Sequence, residues 1–150
     1  MNTFKTRRAS IADIGKVAPL FNAYRQFYEQ EANLEFATRF IENRLNNNES
    51  IIFIIENETQ TALGFCQIYP SFCSVLCAPI YVLYDLFVSP AARKLGLGKL
   101  LLEHAHAHAK VNNIQRMDLT TAKTNLTAQS LYDSLGWVRD DIFFAFNKTV

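Results

Sequence analysis

The residues best suited to chemistry lie between Tyr84 and Lys99, where a strand carrying Asp85, Leu86, Phe87 and Val88 runs through Ser89-Pro90 into Arg93-Lys94-Leu95-Gly96-Leu97-Gly98-Lys99. A helix opens directly after it. Glycines at 96 and 98 remove side chains where a phosphate must approach the main chain, and they accept backbone angles that other residues resist. The start of a helix offers unpaired amides and the positive end of a dipole, to which Arg93, Lys94 and Lys99 add charge. Basic residues there oppose the dipole unless an anion is present, so their placement itself speaks for a ligand. The stretch reads as an anion-binding turn.

Spacing separates three phosphate-binding schemes. A Walker-type loop requires Gly, four residues, then Gly-Lys-Ser/Thr. Here Arg93 stands five residues before Gly98 and Leu100 follows Lys99, so the first glycine and the Mg²⁺-binding hydroxyl are both missing. A dinucleotide fingerprint requires a third glycine where Leu101 stands, although Asp118 falls near the distance of its acidic partner. What remains is Arg-x-x-Gly-x-Gly after a strand. Further along, Asn125-Leu126-Thr127-Ala128-Gln129-Ser130-Leu131-Tyr132-Asp133-Ser134-Leu135-Gly136-Trp137 places Asn125 and Tyr132 seven residues apart. That is close to two helical turns, so they share a face beside the apolar stripe Ala128, Leu131 and Leu135, and Gly136 is placed to end the helix.

These two motifs, in this order, resemble the acetyl-CoA pyrophosphate loop and the Asn-x-x-Ala-x-x-Leu-Tyr-x-x-Leu-Gly-Phe/Trp signature of the GNAT superfamily of N-acetyltransferases. The pattern from Tyr84 to Arg93 is most similar to its diamine and histone-type subgroup. The resemblance implies that an amine attacks the thioester of acetyl-CoA directly in a ternary complex, with no nucleophilic side chain. No Ser-His-Asp or Cys-His arrangement is evident, which agrees. By the same resemblance, Arg93 through Lys99 hold the pyrophosphate and the main chain around Leu86, Phe87 and Val88 pairs with the pantetheine arm like an added strand. Asn125 then hydrogen-bonds the cofactor, and Tyr132 gives its proton to the departing sulfur. Acetyl-CoA enters as co-substrate; no metal is assigned.

The general base is read from the residues. Many relatives that acetylate small amines carry Glu just before the Asp of this strand, where this chain has Tyr84. That leaves Asp85 to accept the amine proton, its burial raising its pKa; the other reading is a structural carboxylate bonded to nearby amides. Tyr24, Tyr28, Glu29 and Tyr84, with Glu31, Glu35 and Tyr69, suggest an aromatic, mildly acidic pocket for a small cationic amine such as a polyamine or amino acid derivative. The same aromatics also read as core. Acetylation of protein lysines or N-termini, and CoA binding without catalysis, stay open as alternatives.

These groups need a scaffold, and periodicity supplies one. Thr3 to Arg8 reads as a strand, Ser10 with Asp13 as a capping box, and Ile11 to Glu29 as a helix interrupted by Pro19. A second helix covers Leu34 to Leu45, with Phe36, Phe40, Ile41 and Leu45 inward. Ile51 to Glu56 and Leu63 to Tyr69 form a hairpin, Pro70 to Pro79 a loop, and Ile80 to Ser89 a long buried strand. Leu97 to Asn112, Gln115 to Thr121, Asn125 to Leu135 and Trp137 to Phe146 follow as helix, strand, helix and final strand or strand pair. The result is α+β, a mixed and mostly antiparallel twisted sheet of roughly six or seven strands flanked by about four helices, in line with a GNAT fold.

The 150 residues make one domain, long enough to bury a core without disulfide or metal. A net charge of +1, with both signs mixed, excludes a global field for nucleic acid or anionic membrane. No apolar stretch follows the basic Met1 to Ser10 as in a secretory signal, and the longest apolar run, Ile51 to Ile55, is too short to span a bilayer; a cytoplasmic protein is expected. Cys66, Cys73 and Cys77 suit reduced thiols, since a pair without nearby histidine makes a poor zinc site. His104 and His108 lie one turn apart without a third ligand and read as a solvated face. Ile142 to Phe146 is the candidate edge for a homodimer.

Overall fold

A computed structural model describes residues 3–150; Met1 and Asn2, the start of the basic segment considered above, lie outside it. The chain divides into two compact units, one reaching Thr120 and the other Thr121–Val150. The first unit runs β1 (Lys5–Arg8), a 3-10 turn (Ile11–Asp13), α1 (Ile14–Phe27), α2 (Leu34–Asn46), β2 (Ile51–Glu56), β3 (Ala62–Cys73) and β4 (Ala78–Val88). A second 3-10 turn (Pro90–Ala92), α3 (Leu97–Val111) and β5 (Met117–Asp118) complete it.

The strands form one sheet in sequence order, antiparallel from β1 to β4, with β5 parallel to β4. Every residue of β2 is buried, because both faces of the sheet are covered. On one face Val17, Leu20 and Phe21 of α1 and Ala37 and Ile41 of α2 pack against Ile52, Ile54, Phe65 and Phe87. On the other, Leu101, Leu102, Ala105 and Ala109 of α3 are buried, and His104 and His108 set their rings against Phe53 at 4.7 and 5.2 Å. Those two histidines are therefore half-buried packing groups rather than a solvated face. Burial, Arg8 and His104 lower the pKa of His108.

Several boundaries differ from the sequence reading for physical reasons. Pro19 does not split the helix, which is continuous across it. Phe36 points outward at 57% exposure, while Ala37 takes the inward position. The expected loop over 70–79 is mostly strand, with a tight turn at 74–77. Pro70 is tolerated because its partner Tyr81 directs its own N–H to Arg116, so the missing donor of Pro70 faces the β2 side, beyond the end of β2 at Ile51. β5 is only two residues long.

The second unit holds α4 (Leu126–Ser134), capped by the Asn125 side chain, which accepts from the Ala128 N–H at 3.2 Å. Gly136 ends the helix at φ +85, with its N–H donated to the Asp133 carbonyl at 3.1 Å. No strand forms after it, against the expectation for Trp137 to Phe146. Within that stretch Asp140 accepts the Ile142 N–H at 2.8 Å, a local turn. The described residues thus give five strands instead of six or seven, with the α+β arrangement otherwise as expected.

Candidate active site

The site begins with an irregularity in the β3–β4 ladder. Gln67 pairs with Asp85 and the next residue, Ile68, pairs with Leu83, so Tyr84 is an extra residue on β4, a β-bulge. A bulge changes which residues face which side, just as a register slip does. Tyr81, before it, stacks on His108 of α3, whereas Phe87, after it, meets Tyr24 of α1. Asp85 is thereby delivered to the α1 face. There it is 4% exposed, accepts from Gln67 Nε2 at 2.7 Å, and is hydrogen-bonded by the Tyr24 hydroxyl. Burial raises its pKa, and the two donors only partly offset that.

Tyr24 bonds this carboxylate, and further tyrosines gather near Tyr24. Tyr24 sits edge-on to Tyr28 at 5.1 Å and its hydroxyl also reaches the Tyr84 carbonyl at 3.4 Å. Tyr84, 66% exposed, stands edge-on to Tyr69 at 5.5 Å. Burial, reinforced by the negative charge of Asp85, raises the pKa of both Tyr24 and Tyr69, Tyr69 to about 12. Of the four expected substrate residues, Tyr24, Tyr28 and Tyr84 gather here, while Glu29 stands exposed in the turn after α1 at φ +62. Gln67 had not been singled out. Fully buried, it leaves its Oε1 without a hydrogen-bond partner; the legible signal was a lone polar residue inside the apolar run from Leu63 to Tyr69.

The strand edge beside Asp85 is open. β5 pairs with β4 only at Tyr81 and Val82. Because the Ser89 N–H donates to Leu63 across β3, alternation turns the main-chain groups of Val88 and Leu86 the other way. Phe87 instead spends its main chain on β3 and its ring on the core, at 7% exposure. At the turn, Lys94 and Gly96 adopt φ +65 and +75. The first intrahelical bond of α3 runs from the Leu100 N–H to the Gly96 carbonyl at 3.2 Å, so the amides of Leu97, Gly98 and Lys99 precede it. Lys94, Leu95 and Lys99 are exposed; Lys99 lies 3.8 Å from Glu103. Arg93 folds back, donating from Nε to the Val88 carbonyl at 3.2 Å with its guanidinium over the rings of Phe27 and Phe87. An open strand edge leading to unspent amides fits an extended arm ending in a pyrophosphate. In the second unit, Asn125 caps α4 and Tyr132 lies on the same face, its ring 6.1 Å from that of Trp137. Among the described residues, no three His, Cys, Asp or Glu side chains gather to hold a metal ion.

This fold suits an acyl-CoA-dependent transferase, and comparison supplies the family. The profile described as Acetyltransferase (GNAT) family matches residues 17–137, and the chain belongs to that family. It is 44% identical over 137 residues to the uncharacterized N-acetyltransferase YhfO of Bacillus subtilis (strain 168), covering 91% of each chain. A crystal structure of a probable acetyltransferase superposes with a TM-score of 0.92 at 33% identity, over 97% of both chains. An aminoglycoside N-acetyltransferase solved with CoA shares the fold, with a TM-score of 0.82 at 16% identity over 100% of this chain and 97% of the other. The protein is an acetyl-CoA-dependent N-acetyltransferase.

Proposed function

We propose that the acceptor is a small cationic primary amine, of the polyamine or amino acid type, and that Asp85 takes its proton. The observation that carries this reading is a buried carboxylate bonded by Tyr24, beside a cluster of tyrosines with an exposed aromatic lip. Aromatic faces and a carboxylate attract an ammonium, and a base with a raised pKa can accept the proton that the amine must lose before it attacks. Buried beside Asp85, the Oε1 of Gln67 is a second acceptor next to the base. Bound acetyl-CoA supplies an activated thioester carbonyl. Around it, the amides of Leu97, Gly98 and Lys99 bind the pyrophosphate with Lys94 as neighbouring charge, and Leu86 and Val88 orient the arm. Tyr132 holds the proton needed at the end of the transfer, an assignment that rests on the motif it shares with Asn125.

Thiol release from acetyl-CoA tests the proposal, with polyamines, amino acids, aminoglycosides and a lysine-rich peptide supplied as separate pools. Release is expected with a small-amine pool and lost in Asp85→Asn and Tyr132→Phe. Release with the peptide alone would move the acceptor to protein lysines. Silence in every pool while CoA still binds would overturn the small-amine acceptor.

A further inference from the structure

The β3–β4 turn, at the opposite end of β4 from Val88, carries two of the three cysteines. Cys73 ends β3 and pairs with Ala78, so Cys77 stands one residue from directly opposite it. The turn is tight. Cys77 takes φ +49, donates its N–H to the Ser74 carbonyl at 3.1 Å, and donates from Sγ to the same carbonyl at 3.4 Å. The amides of Leu76 and Val75 and the guanidinium of Arg116 lie around the Cys73 sulfur. Asp118 grips that guanidinium at 2.7 and 3.1 Å, and the Arg116 carbonyl is tied to the Tyr81 N–H at 3.0 Å, so the cation is fixed in place. Two amides and a guanidinium around one sulfur make an anion site. They hold the Cys73 thiol below its usual range, whereas burial pushes Cys66 up to about 12.

We propose that Cys73 is an oxidative modification site, where the sulfur attacks a hydroperoxide and Cys77 resolves the product as a disulfide within the turn. In the first step an S–O bond forms and the O–O bond breaks. Cys73 becomes a sulfenic acid, and the peroxide, reduced, leaves as an alcohol or water after taking one proton. In the second, the Cys77 sulfur displaces the hydroxyl, which departs as water with the Cys77 proton. Two thiols are thus oxidised and one hydroperoxide reduced. Acetyl transfer uses neither sulfur.

The charged groups facing Cys73 are Arg116 and, behind it, Asp118, so the test pairs alkylation with peroxide treatment of the full chain. At pH 7 iodoacetamide is expected to label Cys73 ahead of Cys77 and Cys66. Arg116→Gln is expected to slow Cys73 about three- to tenfold without slowing Cys77. One equivalent of hydrogen peroxide should yield a Cys73–Cys77 link, about 2 Da lighter than the dithiol. In Cys77→Ser, dimedone should instead trap the sulfenic acid on Cys73, with acetyltransferase activity unchanged. Equal labelling of Cys73 and Cys77, indifference to Arg116→Gln, survival of both thiols in peroxide, or links only between chains would each overturn the proposal.

Discussion

At the scale of single residues, Asp85 carries opposite consequences for stability and catalysis. Its pKa is raised by burial, so the folded carboxyl holds its proton more tightly than the unfolded one, and its contribution to stability falls as pH rises through that range. Asp85→Asn is therefore expected to raise the melting temperature at pH 7 while lowering kcat by about 10²–10⁴, with acetyl-CoA affinity intact. Calorimetry and steady-state kinetics check both halves. A variant that melts lower and turns over normally would make Asp85 a structural carboxylate. Gln67 donates to Asp85 at 2.7 Å, so Gln67→Leu removes a group that holds the pKa down. The acid limb of kcat/KM is expected to move to higher pH in that variant; an unmoved limb would detach Gln67 from the base.

Elements are joined by contacts that tolerate little change. Gly64 on β3 lies against β4, and a Cβ there would meet the Phe87 carbonyl oxygen at 2.7 Å. Backbone cannot step aside as a flexible side chain can, so Gly64→Ala is expected to cost about 1–3 kcal/mol and to disturb the strand pair below Asp85. Urea titration reads the loss. At the other edge of the sheet, Arg7 of β1 bonds Asp13 at 2.7 Å and Glu56 of β2 at 2.9 Å, and Lys16 of α1 reaches Glu56 at 2.5 Å. The Arg7 guanidinium holds Asp13 at about 2 and Glu56 below its usual range. Both folded values are depressed, so this stabilisation is complete above the unfolded carboxylate range near ~4 and is lost as pH falls towards ~2. The melting temperature is expected to drop across that window, and less steeply in Asp13→Asn.

For the whole molecule, the apolar side chains after α4 raise the question of partners. Ile142, Phe143, Phe144 and Phe146 are 81, 78, 91 and 92% exposed. Apolar groups in such number are costly to leave in water, and a second copy of the chain is a partner that presents the same segment. We expect a homodimer in solution, with light scattering giving twice the chain mass, and a chain ending at Asp141 giving a monomer. A full-length chain that stays monomeric at working concentration would remove the proposal. No helix among the described residues is long and apolar enough to cross a membrane.

Local patterns made much of this protein legible. Leu34 as the start of α2, Ile51 to Glu56 as a strand and the helix opening at Leu97 all follow from periodicity and glycine placement, which act within a few residues. The two motifs likewise pointed to acetyl transfer, because ligand-holding turns are written in contiguous sequence. What the sequence did not contain was the bulge at Tyr84, the choice of Gln67 as the neighbour of Asp85, and the early end of β5. Each depends on how one strand registers against another. Register is decided by the summed packing of both faces, so only the tertiary structure could turn Asp85 towards α1 and leave the strand edge beside it open.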